Sequence, residues 1–218
     1  NTAVGSGSLK VNTTGEQNTA VGYNALASNT TAHYNVAVGR NCLTSNTTGT
    51  TNTAVGTTAL VHVTTSNDNV ALGYFAGGNI TTGANNVCLG KDSAASSATS
   101  DNEFVLGNSG TNNLRCNDTS ISSLSDQRDK TEIIDLPIGL DFINAVRPVK
   151  FKWASRDGKQ GKDGKYEAGF IAQELDAVQS STSVDYLNLV QKENLDKLEA
   201  APHRLFPVLV KAIQELSA

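Results

Sequence analysis

Apolar residues enter this chain in short, evenly spaced bursts. Asn1-Thr-Ala-Val-Gly5 is followed by Asn18-Thr-Ala-Val-Gly22, Asn35-Val-Ala-Val-Gly39 and Asn52-Thr-Ala-Val-Gly56. Asn69-Val-Ala-Leu-Gly73 and Asn86-Val-Cys-Leu-Gly90 continue the series, so the starts fall 17 residues apart without a slip. A last copy, Asn102-Glu-Phe-Val-Leu-Gly107, reads as one residue out of phase. Threonine pairs at 13–14, 30–31, 47–48, 64–65 and 81–82 keep the same period. A fixed short period marks a solenoid or array. Asn, Thr, Gly and Val are weak helix formers and good strand or turn formers. Each repeat is therefore expected to supply two short strands and two turns. Ala3, Val4 and their equivalents form a thin apolar line. The glycine at repeat position 5 marks a turn that needs positive φ or close backbone approach. Stacked copies bury what one copy cannot. A line so thin suits either a narrow one-chain solenoid or several chains sharing a core, and a threefold assembly is the favoured expectation.

After Gly107 the pattern changes. Residues 108–123 form a polar linker rich in Asn, Ser and Thr. Ile138, Leu140, Phe142, Ile143 and Val146 recur at helical spacing, and Pro148 ends that element. Val149-Lys-Phe-Lys-Trp153 alternates and reads as a strand. Residues 156–166, with three glycines and many charges, read as a hairpin tip or exposed loop. Ala168 to Leu175 begins a short buried segment or helix. At the end, Leu205, Val208, Leu209, Ala212, Ile213 and Leu216 form one apolar stripe at heptad-compatible spacing. Pro202 and Pro207 lie near the start of this helix, where proline is best tolerated. It reads either as an amphipathic helix on its own domain or, the better fit to a trimeric stalk, as one strand of a three-stranded coiled coil.

Composition sharpens the division. Residues 1–124 carry 10 charged residues and 14 of the 19 glycines, whereas residues 125–218 carry 28 charged residues, all four prolines and the single Trp153. The expected organisation is a repetitive β stalk over 1–107, a linker over 108–124 and a small α+β domain over 125–218. The opening in mid-repeat suggests a piece of a longer protein. A net charge of −4 argues against a nucleic-acid partner held through phosphates. No stretch reaches the ~18–20 apolar residues of a membrane span. Cys42, Cys88 and Cys116 lack CxxC spacing, and His33, His62 and His203 lie far apart, so neither a metal nor a cofactor is expected. Cys42 and Cys88 occupy slots that other repeats fill with alanine, so both are read as small buried residues. Asn12, Asn29, Asn46 and Asn79 fit the N-glycosylation pattern, but the repeat explains them as turn residues without sugar.

The first 107 residues resemble the NTAVG-type repeats of trimeric bacterial adhesin heads, which also recur in phage tail fibres. In the second half, four motifs stand in order: Ser125-Asp-x-Arg-x-Lys130, Val149-x-Phe-x-Trp153, Gly169-Phe-Ile-Ala-Gln-Glu174 and Leu209-Val-Lys-Ala-Ile-Gln-Glu-Leu216. Together, over residues 122–218, they resemble the peptidase S74 domain, the intramolecular chaperone of phage endosialidases and tail fibres. The resemblance implies a homotrimer that guides folding of the β-rich fibre before it and then cuts itself off. It implies cleavage at the Leu124–Ser125 bond, with Ser125 as nucleophile. It also implies that the mature stalk sits in a virion tail fibre, made in the host cytoplasm, with the chaperone domain released.

Chemistry then narrows the roles. A serine that directly follows the scissile carbonyl favours an N-to-O acyl shift followed by ester hydrolysis. Serine needs a base. No histidine is near in sequence, so Lys130 is the candidate. A free lysine, with pKa about 10.4, is neutral only about 4 times in 10,000 at pH 7, so the base must be desolvated or set near a cation. Arg128 is the candidate cation. Asp126 either orients Lys130 or caps a short helix. The competing function is a non-catalytic trimeric fibre or adhesin segment that binds a host-surface glycan or protein. Glu16, Asp68, Asp92, Asp101 and Glu103 form no evident pair of the glycosidase kind.

Overall fold

A computed structural model describes residues 1–111, 113–115, 125–154, 164–196 and 198–218. The chain divides into two compact units, Asn1–Asn112 and Asn113–Ala218. No described helix is long and apolar enough to cross a membrane.

The first unit is a β-solenoid. Its strands are β1 (Thr2–Val4), β2 (Thr19–Val21), β3 (Val36–Val38), β4 (Thr53–Val55), β5 (Val70–Leu72), β6 (Val87–Leu89) and β7 (Phe104–Leu106). They form one parallel sheet in chain order, and each residue pairs with the one 17 positions on. Each coil has one three-residue strand, not the two expected. The reason lies in the turns. Three slots per coil take left-handed backbone, seen at Asn41, Leu43 and Thr51 in one coil. So much turning leaves little chain to run extended. The threonine segment still bonds coil to coil, as Thr13 Oγ1 donates to the Thr30 carbonyl at 2.9 Å and Thr47 Oγ1 to that of Thr64 at 3.0 Å.

The core is narrow but closed within one chain. Ala20, Ala37, Ala54, Ala71 and Cys88 point inward from the strands, and Leu26, Leu43, Leu60, Val63 and Ile80 fill the space behind them. Leu26, Leu43 and Leu60 are fully buried although φ is near +50° at each. A left-handed leucine costs roughly 1–2 kcal/mol, whereas burying its side chain contributes about 1.5–3 kcal/mol, so packing prevails. The valine beside each inward alanine does not share this core. Val4, Leu72 and Leu106 are about half exposed on the outer face of the sheet, and Phe104, in the other outer row, is more exposed still.

Asn18, Asn35, Asn52, Asn69 and Asn86 are completely buried or nearly so. Each Oδ1 accepts the backbone N–H of the residue 17 positions on, and each Nδ2 donates to the carbonyl 14 positions on. For Asn52 the partners are Asn69 N at 3.0 Å and Ser66 O at 2.8 Å. This ladder settles the last repeat. The N–H of Glu103 donates to Asn86 Oδ1 at 3.0 Å, and β7 stays 17 residues from β6. The last copy is therefore in phase. Glu103 fills the asparagine slot, and Asn102, with φ of 62°, fills the left-handed slot before it. Asn52→Ala orphans two buried backbone groups at about 1–3 kcal/mol each. It is expected to lower the stability of the solenoid by about 2–5 kcal/mol, measured by thermal or urea unfolding; a loss below about 1 kcal/mol contradicts the ladder.

Asn29 and Asn46 form part of a second, shorter ladder and are fully buried, which removes them as sugar acceptors in the folded chain. Cys42 and Cys88 are buried free thiols, and burial pushes Cys42 up to about 12 and Cys88 to about 11. Cys116 lies outside the described residues.

The second unit contains α1 (Leu140–Ala145), β8 (Val149–Phe151), β9 (Glu167–Gly169), α2 (Ala172–Ser181), β10 (Val190–Gln191), β11 (Glu199–Ala200) and α3 (Phe206–Leu216). β8 and β9 form an antiparallel hairpin, and residues 155–163 between them lie outside the described set. Phe142, Leu175, Leu189, Leu205 and Val208 form its core. Gln179 is 2 % exposed and accepts the Leu189 N–H through Oε1 at 3.0 Å, tying α2 to the strand that follows.

The terminal helix runs for 11 residues, Phe206–Leu216, after a 3-10 turn at Pro202–Leu205. Pro202 opens that turn and Pro207 lies in the first turn of α3. The apolar stripe splits into two faces. Leu205, Val208 and Ala212 face the core, whereas Phe206, Leu209, Val210, Ile213 and Leu216 are exposed.

Candidate functional site

The segment Ser125–Lys130 has no buried residue. Asp126 is extended, Gln127–Asp129 make one 3-10 turn, and Lys130 is extended again. That reversal brings together two side chains five residues apart. Lys130 Nζ lies 2.6 Å from Ser125 Oγ and 3.3 Å from the Ser125 carbonyl oxygen. The two residues singled out as nucleophile and base are thus in hydrogen-bond contact.

Asp126 and Arg128 pair with each other. Asp126 Oδ1 accepts the Arg128 backbone N–H at 2.9 Å and Nε–H at 3.0 Å, and Oδ2 accepts Nη2–H at 2.6 Å. The guanidinium holds the Asp126 carboxyl below the usual carboxylate range, and the carboxylate in turn raises Arg128. Of the two roles considered for Asp126, the structure displays the cap. Leu124, the residue on the other side of the expected cleavage, lies outside the described residues.

The other three motifs build the unit that carries this turn. Val149 to Phe151 of the second motif form β8, shorter than the strand read over 149–153, and the Trp153 ring just beyond it meets that of Phe151 edge to face with centroids 5.3 Å apart. Lys150 and Lys152 place their ammonium groups 4.3 and 4.6 Å from the Tyr166 ring centroid. Gly169 ends β9, and a side chain there would meet the Phe151 ring at 3.1 Å. Glu174 pairs with Arg147 through two hydrogen bonds, one of 3.0 Å to Nε–H, and this pairing holds its carboxyl low. Glu215 in α3 accepts the Leu140 N–H at 2.7 Å, which caps α1 from a residue 75 positions away. The roles of Gln179 and Glu215 have no local signal, because a polar residue on an amphipathic helix reads as solvated until its partner is placed.

The geometry thus defines a β-solenoid followed by a small α+β unit that opens on a Ser–Lys contact. A family model described as the chaperone of endosialidase, Peptidase_S74, matches residues 125–183. The match starts at Ser125 and runs through α1, the β8–β9 hairpin and α2. It supports a chaperone role in fibre folding for this part of the chain. No curated protein and no solved structure matches the chain.

Proposed function

We propose that residues 125–218 are a self-cleaving intramolecular chaperone that trimerises and registers the solenoid, then releases itself at Leu124–Ser125. The observation that carries the cleavage reading is the 2.6 Å contact between Ser125 Oγ and Lys130 Nζ. In the reaction, Lys130, which is exposed and has its neighbour Arg128 paired with Asp126, acts through the small fraction of amine that is neutral: it takes the Ser125 hydroxyl proton, and Oγ attacks the Leu124 carbonyl carbon. The C–Oγ bond forms, the C–N bond breaks, and Lys130 returns the proton to the departing Ser125 amine. The product is an ester between Leu124 and Ser125 Oγ. Water then hydrolyses it, leaving a Leu124 carboxylate and a free Ser125 hydroxyl.

Trimerisation is supported by two exposed apolar surfaces, each on one unit. One is the outer sheet face with Val4, Leu72, Phe104 and Leu106; the other is the exposed face of α3. Surfaces of this kind mark association sites. Registration has a physical rationale, because nearly identical 17-residue coils on three chains can slip by one coil. A C-terminal unit that associates first fixes the phase and lowers the entropic cost of assembly. After its release the stalk is held kinetically, since it has lost its template. The resulting stalk belongs in a virion tail fibre, as the mature product after the chaperone has left.

Expression of the chain, followed by mass spectrometry of denatured fragments and light scattering of the native protein, tests this reading. The expected result is a fragment beginning at Ser125 together with a trimeric stalk. A soluble, folded assembly that keeps an intact chain overturns cleavage; a monomer overturns registration.

A further inference from the structure

The turn that carries Lys130 has no core of its own. Every residue from Ser125 to Lys130 is exposed, and the 3-10 turn buries none of its side chains. A fully extended chain would separate residues five apart by about 17 Å, so the Ser125–Lys130 contact depends on the reversal being held. Two backbone bonds shape it, from Asp129 N–H to Asp126 O and from Lys130 N–H to Gln127 O, each 3.2 Å. One side chain reinforces them. The Asp126 carboxylate takes three hydrogen bonds from Arg128, one from its backbone and two from its guanidinium.

We propose that Asp126 is a positioning residue for the cleavage centre: by clamping Arg128 it holds the turn that lays Lys130 on Ser125. The proposal rests on the cleavage reading above, but its geometric part stands apart from it. Arg128 acts through the same clamp. Its charge is largely cancelled by the partner it grips, so its effect on the site comes from where it fixes the backbone. The arrangement also explains the spacing of the motif. The carboxylate must directly follow the serine to act as the cap. The arginine must lie two residues on to receive it, and the lysine two further to leave the turn beside the serine.

The full chain carrying Asp126→Ala, Asp126→Asn, Arg128→Ala or Asp126→Asn with Arg128→Ala tests this. Cleavage is followed by the rate at which the Ser125-initiated fragment appears. The Lys130–Ser125 contact is followed by side-chain nuclear Overhauser effects in lysine-labelled protein. Asp126→Ala is expected to slow cleavage about tenfold, the scale of a lost cap and its ion pair, and to remove the Overhauser contact. Asp126→Asn keeps an oxygen for the Arg128 N–H and restores part of both. The double variant is expected to be no slower than the slower of its single variants, because both residues serve one clamp. Thermal melting should stay unchanged, since no core residue is touched. Wild-type rate in Asp126→Ala, or multiplied losses in the double variant, overturns the proposal. If the wild type does not cleave, the cleavage reading fails by itself. The contact then decides: its persistence in Asp126→Ala overturns the clamp, and its loss there with recovery in Asp126→Asn supports it.

Discussion

Gly56→Ala is expected to break the solenoid near its middle. Gly5, Gly22, Gly39, Gly56, Gly73 and Gly90 stack in one column, all with φ between 112° and 142°. A Cβ built on Gly56 would lie 2.2 Å from the carbonyl oxygen of Gly73 and 2.6 Å from its carbonyl carbon. The obstacle is backbone of the neighbouring coil, so no side-chain rotation relieves it. The left-handed strain adds to the clash. Together they are expected to cost about 3–5 kcal/mol, the range in which a single substitution unfolds a marginal domain. The damage should spread, because a solenoid is stabilised mainly by contacts between neighbouring coils. Gly164→Ala is the control. Gly164 also has positive φ, 64°, but a Cβ there would meet nothing within 4 Å. It should cost about 1 kcal/mol. Circular dichroism melts of both variants give the comparison. Equal small losses would show that the column is not held by steric exclusion.

Ser125→Ala and Lys130→Ala are each expected to leave the chain uncut, with a loss of at least a thousandfold in cleavage rate. The alanine at 125 removes the oxygen that receives the acyl group. The change at 130 removes the base that lies 2.6 Å from it. Lys130→Arg is the sharper variant. It keeps the positive charge and much of the reach, but a guanidinium does not deprotonate in proteins, so it should be uncut as well. Recovery of cleavage with arginine would show that Lys130 contributes charge, not proton transfer. Hydroxylamine added to the wild type should trap the ester and leave a hydroxamate on Leu124. Absence of that adduct in a chain that still cleaves would favour direct attack by water over an acyl shift. In every variant the solenoid should still fold, since Ser125 and Lys130 lie in the other unit.

The 17-residue period, the glycine column and the change of character after Gly107 are legible in the residues alone. Each follows from local chemistry repeated at a fixed distance. The apolar run from Leu205 to Leu216 likewise marks a helix. The first three of the four motifs in the second half lie within the residues that the family model matches, 125–183, and the fourth lies beyond them.

Other features needed the folded chain. The alternation Thr-Ala-Val says that neighbours face opposite ways but not which side is inside; the left-handed residues that curl each coil decide it. They turn Ala54 inward and put Val55 on the outer face. The same curvature reduces two expected strands per repeat to one. The phase of the last coil depends on a partly buried hydrogen bond from Glu103 to Asn86, 17 residues apart, which a search for asparagine at the start of a run passes over. The single stripe on α3 became two faces, because the core covers Val208 and Ala212 but leaves Leu209 and Ile213 open. Residue types and spacing name Ser125 and Lys130 as a candidate pair. Their contact is a property of the turn between them, since five residues of chain can hold two side chains far apart or together. Periodicity is written locally, whereas handedness, inside and outside, and the meeting of two side chains are settled by where the rest of the chain lies.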